Sequence, residues 1–149
     1  RWITFSSSRT LPGQSWRRSM STAAAVGHGT VGRAPAWLSL GAWGFVHGGW
    51  HPAMRDNPPP PDAGARKPDP LLSRALFGQV TGRMQEDGYP ERLHGWVDRI
   101  AAGFTVYCGH ERRSTDGRPY RQRGAGGEAV FMDTGAGKGG HLSWVDLAW

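Results

Sequence analysis

Residues 104–147, FTVYCGHERRSTDGRPYRQRGAGGEAVFMDTGAGKGGHLSWVDL, decide the fold. This stretch contains three short apolar runs, at residues 104–108, 129–132 and 142–147, and glycine or polar residues bound each of them. Short apolar runs with such boundaries favour buried β-strands over helices. The sequence therefore predicts three strands here.

Polar residues follow the first two of these strands directly. His110 comes after Cys108 and a glycine, which lets the backbone turn sharply, and Asp133 closes the second run. A histidine in this position is poorly placed to fill a core. Ligands of α/β sheets bind where the strands end, so we expect His110 to face a site at the strand-exit edge.

The residues upstream predict an α/β protein. Residues 71–77 and 91–102 each have a helical pattern, and in the second the apolar side chains recur at three- and four-residue spacings. Gly103 then separates this helix from the first strand, which makes an αβ unit. Residues 36–47 are expected to enter the core as a turn of helix and then a strand, whereas the proline-rich residues 51–70 predict a surface loop or polyproline spacer.

The positive charge is concentrated near the start of the chain. The formal net charge is +6, but residues 1–46 hold five arginines and no acid, while the remaining residues hold 13 basic and 12 acidic side chains. Residues 1–34 lack an apolar period and are predicted to form a disordered basic extension. Three interpretations of it remain open: an organelle transit peptide, a basic arm that contacts nucleic acid, or a misassigned or frame-shifted start.

Length and composition favour a single domain in a reducing compartment. The 149 residues suit one hydrophobic core, and no apolar run approaches the roughly 18 residues of a membrane span. The single cysteine, Cys108, excludes an internal disulfide and is expected to be a small buried strand residue. We therefore expect a cytoplasmic protein without a membrane partner.

Four segments together resemble a known family. They are FVHGGWHP at 45–52, VYCGH at 106–110, FMDTG at 131–135 and GGHLS at 139–143. In order and spacing they are similar to the C-terminal half of calcineurin-like metallophosphoesterases, above all the phosphoprotein-phosphatase branch with diadenosine tetraphosphatases and the phosphatase modules of bacterial polynucleotide kinase-phosphatases. The resemblance covers roughly residues 36–147. It implies a partial metallophosphoesterase-type β-sandwich flanked by helices, over residues 35–149.

The resemblance also implies a chemistry. Members of the family hydrolyse phosphate esters at two divalent ions, and the expected mixture of carboxylate and imidazole ligands suits Mn, Fe or Zn. By resemblance, His47 and His110 would be metal ligands, and Asp133 would hold the His110 loop through a hydrogen bond. Arg92 and Arg113 are candidate phosphate contacts, because a guanidinium group matches phosphate oxygens. The substrate would be a phosphoprotein, a nucleotide or a nucleic-acid end.

The chain departs from the family in its first half. The family supplies most metal ligands from Asp-x-His, Gly-Asp-x-x-Asp-Arg-Gly and Gly-Asn-His motifs, and none of these occurs here. The chain could thus supply at most two ligands, and we expect a fragment with weak or no activity and no catalytic residue of its own. The alternatives are a non-enzymatic protein that binds RNA or DNA through its arginine-rich start, and a spurious reading frame without a stable fold.

Overall fold

The computed structural model describes residues 34–86 and 88–147. They form a mixed α/β structure that is mostly sheet with few helices, as the sequence predicts in outline. The predicted basic extension, residues 1–34, lies outside the described residues except for its last residue. The strands are β1 (Trp37–Leu40), β2 (Trp43–Val46), β3 (Gln79–Met84), β4 (Pro90–Leu93), β5 (Thr105–Arg112), β6 (Tyr120–Arg123) and β7 (Glu128–Asp133). The helices are α1 (Ala53–Asp56) and α2 (Pro70–Phe77), with 3₁₀ turns at Val97–Arg99 and Ala136–Lys138.

The described strands form two sheets. The larger has the order β1-β2-β5-β7-β6, and β3 pairs with β4 in a separate antiparallel hairpin. Within the larger sheet β2, β5 and β7 are mutually parallel, with Val46 opposite Cys108 and Cys108 opposite Phe131. The carboxyl ends of these three strands therefore lie side by side at one edge.

Apolar side chains cover both faces of the larger sheet. One face carries the main core, to which Trp50, Met54, Leu72 and Trp96 contribute from the connecting segments. The other face holds a smaller cluster around Phe45, Tyr107 and Val130, packed by Trp43, Met132, Val145 and Leu147. Because β5 and β7 run between two apolar layers, their residues read as continuous apolar runs rather than as alternating ones.

Several predicted elements are confirmed. The predicted strand at 104–108 corresponds to the first half of β5, the predicted strand at 129–132 is the centre of β7, and the predicted helix at 71–77 is α2. Asp69 caps α2 by accepting a hydrogen bond from the backbone N–H of Leu72, and Pro70 occupies its first turn, where a proline is well tolerated. Cys108 is fully buried, as expected.

The turn of helix predicted within residues 36–47 is wrong, because this segment is a β-hairpin. β1 and β2 pair antiparallel across Gly41 and Ala42. Gly41 has φ of 58°, and a two-residue hairpin loop commonly needs a positive φ at this position. In the proline-rich stretch predicted as a loop, the structure forms the single turn of α1.

The helix predicted over residues 91–102 is also wrong. Its beginning is strand β4, and only Val97–Arg99 is helical, as a 3₁₀ turn. The pattern nevertheless identified core residues, since Trp96, Val97 and Ile100 are 3%, 0% and 2% exposed. Gly95 interrupts the pattern, and glycine is a poor residue for a helix interior. The residues of β4 therefore pair with β3 instead of forming the first turn of a helix.

The strand predicted at residues 142–147 does not form. Only an isolated bridge between Gly135 and His141 precedes it. The two-residue alternation is still visible, because Trp144 is 68% exposed while Val145 and Leu147 pack on the smaller apolar cluster. This segment covers the sheet without extending its ladder. Strands β3 and β6 were not predicted.

Among the described residues, no helix is long and apolar enough to cross a membrane.

Candidate functional site

The edge formed by the carboxyl ends of β2, β5 and β7 brings two predicted site residues together. Nε2 of His47 lies 2.9 Å from Nδ1 of His110, although 63 positions separate the two residues in the chain. Their rings meet edge to face, with the centroids 4.7 Å apart. The parallel pairing of β2 with β5 creates this contact, because His47 directly follows β2, whose last residue Val46 is in register with Cys108, two residues before His110 in β5.

His47 is positioned by the glycine that follows it. The backbone N–H of Gly48 donates to the carbonyl oxygen of Ala75 at the end of α2, at 2.6 Å. A Cβ at position 48 would lie 2.4 Å from the backbone nitrogen of Gly78, which leaves no space for any side chain. The sequence His-Gly-Gly thus lets strand β2 end directly against the helix.

His110 is positioned by a bulge in β5. Between Cys108 and Arg112 the register of β5 against β7 shifts, since four positions in β5 span two in β7. His110 has φ of 63°, the only positive φ among the described non-glycine residues. Such a conformation costs about 1–3 kcal/mol and persists only where surrounding contacts impose it. The bulge turns the imidazole toward His47, and the N–H of Gly109 donates to the carbonyl oxygen of His47 at 3.0 Å.

The environment keeps both imidazoles neutral. Desolvation and the nearby Arg92 and His47 charges lower the pKa of His110 to about 4, although Asp133 and Glu111 act in the opposite direction. Desolvation likewise lowers the pKa of His47. At neutral pH each ring therefore keeps one nitrogen lone pair, which can accept a hydrogen bond or bind a cation.

Arg92 lies beside this histidine pair. It belongs to β4 of the separate hairpin, and one terminal nitrogen, Nη2, is 2.8 Å from Nε2 of His110. The other terminal nitrogen, Nη1, donates to the carbonyl oxygen of Phe77 at the end of α2. Arg92 and His110 both line a small cleft between the hairpin and the larger sheet. Of the two predicted phosphate contacts, Arg92 is therefore the one at the histidine pair.

Arg113 is engaged in a different cluster. Its Nη1 lies 3.1 Å from Nε2 of His94 and 3.7 Å from a carboxylate oxygen of Glu111, and the guanidinium packs over the rings of Tyr120 and Phe131. These contacts hold Arg113 within the protein. Its role as a phosphate contact stays a prediction.

Sequence reasoning missed His94 and Glu111. Nε2 of His94 is 2.6 Å from Oε2 of Glu111, and both side chains line the same cleft as Arg92. His94 was placed in a predicted helix, so its pairing with the β5 bulge could not be anticipated. The one available signal is its position two residues after Arg92, which would put both on one face of a strand.

Asp133 forms a local turn. Its Oδ1 accepts a hydrogen bond from the N–H of Gly135 at 2.8 Å, a typical use of an aspartate after a strand. Burial lowers the pKa of both His47 and His110, and the charge of Asp133 partly opposes that lowering. Its direct hydrogen bond to the His110 loop stays a prediction.

The histidine pair by itself is an incomplete ligand set for a divalent ion. Two nitrogens bound to one ion at about 2.0–2.1 Å and at right angles would be roughly 2.9 Å apart, which matches the distance between His47 Nε2 and His110 Nδ1. Among the described residues, however, no group of three or more His, Cys, Asp and Glu could hold a metal ion. The assignment of His47 and His110 as metal ligands stays a prediction.

Comparison of the chain with protein-family models, with curated proteins and with solved structures found no match.

Proposed function

We propose that this chain carries part of a metal-dependent phosphoesterase site of the calcineurin-like type, with a β-sandwich of that family. In this proposal His47 and His110 would be two of the residues that hold a divalent ion. The ion is Mn, Fe or Zn, since imidazole ligands suit these metals. The remaining ligands would come from outside the described residues, and we expect weak or no activity from this chain.

One observation carries the proposal. Two histidines from distant parts of the sequence meet nitrogen to nitrogen at the carboxyl edge of parallel strands, and a strained bulge is needed to bring one of them there. Strain retained in a folded protein indicates a functional constraint. A hydrogen bond between two imidazoles contributes only about 0.5–1.5 kcal/mol, which would not require such a conformation.

The chemistry divides between the ions and the protein. Two divalent ions supply Lewis-acid polarisation of a phosphoryl group and lower the pKa of a water nucleophile. The backbone of this chain orients the site: the close packing at Gly48 fixes the direction of His47, and the bulge fixes that of His110. Arg92 adds a positive charge on the same side, where it can contact phosphate oxygens.

The test is hydrolysis of an aryl phosphate with added Mn²⁺, together with Mn²⁺ binding followed by electron paramagnetic resonance. We compare the chain with His110→Ala and with His51→Ala, a nearby histidine whose Nδ1 accepts a hydrogen bond from the N–H of Ala53. We expect weak Mn²⁺ binding that is lost in His110→Ala and kept in His51→Ala. Activity, if measurable, should follow the same order.

Two results of the Mn²⁺-binding experiment would refute the proposal, and one would extend it. Mn²⁺ binding that is the same in His110→Ala as in the unaltered chain would refute the histidine pair as the binding site. No Mn²⁺ binding by the unaltered chain at millimolar concentration would refute the proposed function for this chain. Robust turnover that requires both Mn²⁺ and His110 would show that further ligands exist in the chain.

A further inference from the structure

A second cleft is separate from the one at the histidine pair. Its volume is about 150 Å³, and it is bounded by the segment that follows β2, by α1, and by the 3₁₀ turn and loop that lead into β5. None of its lining residues also lines the cleft at His110. A ligand of this second cleft is therefore independent of the proposed function.

The inner wall of this cleft is aromatic and fixed in place. Trp50 and Phe104 line it, and they are only 2% and 3% exposed. Their ring centroids are 5.5 Å apart and the rings are tilted by 35°. A Cβ at Gly44 would lie 2.9 Å from atoms of both rings, so the two rings pack directly on the backbone of β2. Because close packing holds side chains in single orientations, the cleft has a preformed apolar wall.

Two arginines line the outer part of the same cleft. Arg55 belongs to α1 and Arg99 to the 3₁₀ turn, and both are exposed. The guanidinium carbon of Arg55 lies 5.3 Å from the centroid of the Phe104 ring, beside the aromatic wall. Neither guanidinium forms an ion pair with another described residue. One described lining residue, Asp56, is acidic, so positive groups outnumber negative ones by two to one.

A neighbouring histidine responds to this positive charge. His51 directly precedes Pro52, which lines the cleft. Burial, and then the charges of Arg74 and Arg99, lower the pKa of His51. A cation is thus disfavoured at this side of the molecule, and the same charges favour an anion.

We propose that this cleft binds a small carboxylate that carries a single aromatic ring. An apolar cavity of about 150 Å³ accommodates one benzene ring. The ring of the ligand lies against Trp50 and Phe104, since aromatic rings in contact attract each other beyond the effect of the area that they bury. The carboxylate lies between Arg55 and Arg99, because a guanidinium group donates in a geometry that matches carboxylate oxygens.

Both parts of the cleft are needed to explain this choice of ligand. An inorganic anion would contact the arginines and leave the aromatic wall in water. A neutral ring would cover the wall and give the two guanidinium groups no partner. A ligand with a ring and a carboxylate uses the apolar and the charged surfaces together, as small-molecule sites commonly do.

The first test compares three ligands by ¹H–¹⁵N correlation spectra of the full chain. Benzoate has the ring and the charge, benzamide has the ring without the charge, and acetate has the charge without the ring. We expect benzoate at millimolar concentration to produce saturable shifts of the Trp50 indole N–H and the Ala101 amide, which both belong to lining residues. Benzamide and acetate should each bind at least about tenfold more weakly, because each lacks one of the two interactions.

The second test removes one positive charge at a time. Arg55→Met and Arg99→Met keep an apolar side chain of similar length, and Arg83→Met is the matched control, because Arg83 is an exposed arginine in β3 that does not line the cleft. We expect each cleft variant to weaken benzoate binding about tenfold and to leave benzamide binding unchanged, whereas Arg83→Met should change neither. All three arginines are exposed, so thermal unfolding should show that each variant stays folded.

Four results would overturn this inference. They are the absence of saturable shifts with benzoate, shifts only at residues outside the cleft, acetate or benzamide binding as tightly as benzoate, and equal losses of benzoate affinity in Arg99→Met and Arg83→Met. None of them bears on Mn²⁺ binding at the histidine pair, which shares no lining residue with this cleft. The inference and the proposed function can therefore fail separately.

Discussion

The candidate site draws on two regions with very different packing. At the centre of the larger sheet, Val106 and Cys108 of β5 and Val130 of β7 are completely buried between two apolar layers. In the β3–β4 hairpin nearly every side chain is at least partly exposed, and Val80 and Met84 are 43% and 66% exposed. The first region supplies both histidines and the second supplies Arg92.

This difference in packing implies that the larger sheet is rigid and that the hairpin is more mobile. A close-packed sheet fixes the separation and orientation of the groups that it carries, and here it holds His47 and His110 in contact. A hairpin with few buried contacts opens at a low free-energy cost, so we expect Arg92 to be held less firmly than the two histidines. The site thus combines a close-packed region, the larger sheet, with a loosely packed region, the β3–β4 hairpin.

We expect the largest effect from a matched pair of substitutions that compares the larger sheet with the hairpin. Val106→Ala removes two methyl groups from a fully buried position, whereas Val80→Ala removes them from an exposed strand. We expect the free energy of unfolding to fall by about 2–3 kcal/mol for Val106→Ala and by less than about 0.5 kcal/mol for Val80→Ala. Urea denaturation measures both, and equal losses would refute the contrast between the regions.

A second substitution tests the close backbone contact between the end of β2 and the end of α2. In Gly48→Ala the added methyl group would overlap the backbone of Gly78, so we expect a loss of about 1–3 kcal/mol and displacement of His47. Gly95→Ala is the matched control, because its Cβ meets no atom within 4 Å and its φ is not positive. Thermal unfolding should distinguish the two, and a Gly48→Ala variant as stable as Gly95→Ala would contradict the close approach described here.

The smallest effect concerns the hairpin itself. Oγ1 of Thr81 donates to the Glu91 carboxylate at 2.7 Å across the two strands, in an exposed position. Glu91→Ala should therefore lower global stability by less than about 1 kcal/mol, while amide hydrogen exchange in β3 and β4 becomes faster.

The exchange pattern provides the control for this third substitution. Amides of β5 and β7 should keep their protection in Glu91→Ala, since they exchange through global unfolding. If the amides of β5 exchanged as fast as those of β3 in the unaltered chain, the sheet and the hairpin would have the same local stability. That result would refute the contrast between the two regions.

Much of the sheet was predictable because its signals are local. Continuous apolar runs bounded by glycine located β5 and β7, and Asp69 with Pro70 marked the start of α2. The same logic predicted that the strand ends before His110, which is wrong, because β5 continues through a bulge to Arg112 and contains His110. Where local signals conflict, prediction was wrong: Trp96, Val97 and Ile100 have helical spacing, but they reach the core from a 3₁₀ turn that follows a strand.

The site was predictable only in part. His47 and His110 could be paired through the resemblance, whereas the contacts of Arg92, His94 and Glu111 could not be foreseen. Those contacts depend on how the hairpin packs against β5, and a sequence period carries no information about packing between separate sheets. The C-terminal segment shows the same effect, since its alternation predicted which residues face inward but not that it forms no ladder.

By itself, the sequence determined which segments are buried, where the chain turns and which residue types stand at the strand ends, because burial and turn geometry are properties of short segments. Only the tertiary structure decided that His47 meets His110 and that a bulge turns His110 toward it. It also decided that Arg92 donates a hydrogen bond to Nε2 of His110. These contacts join residues up to 63 positions apart, and they exist because parallel pairing aligns the strand ends and packing brings the hairpin over them.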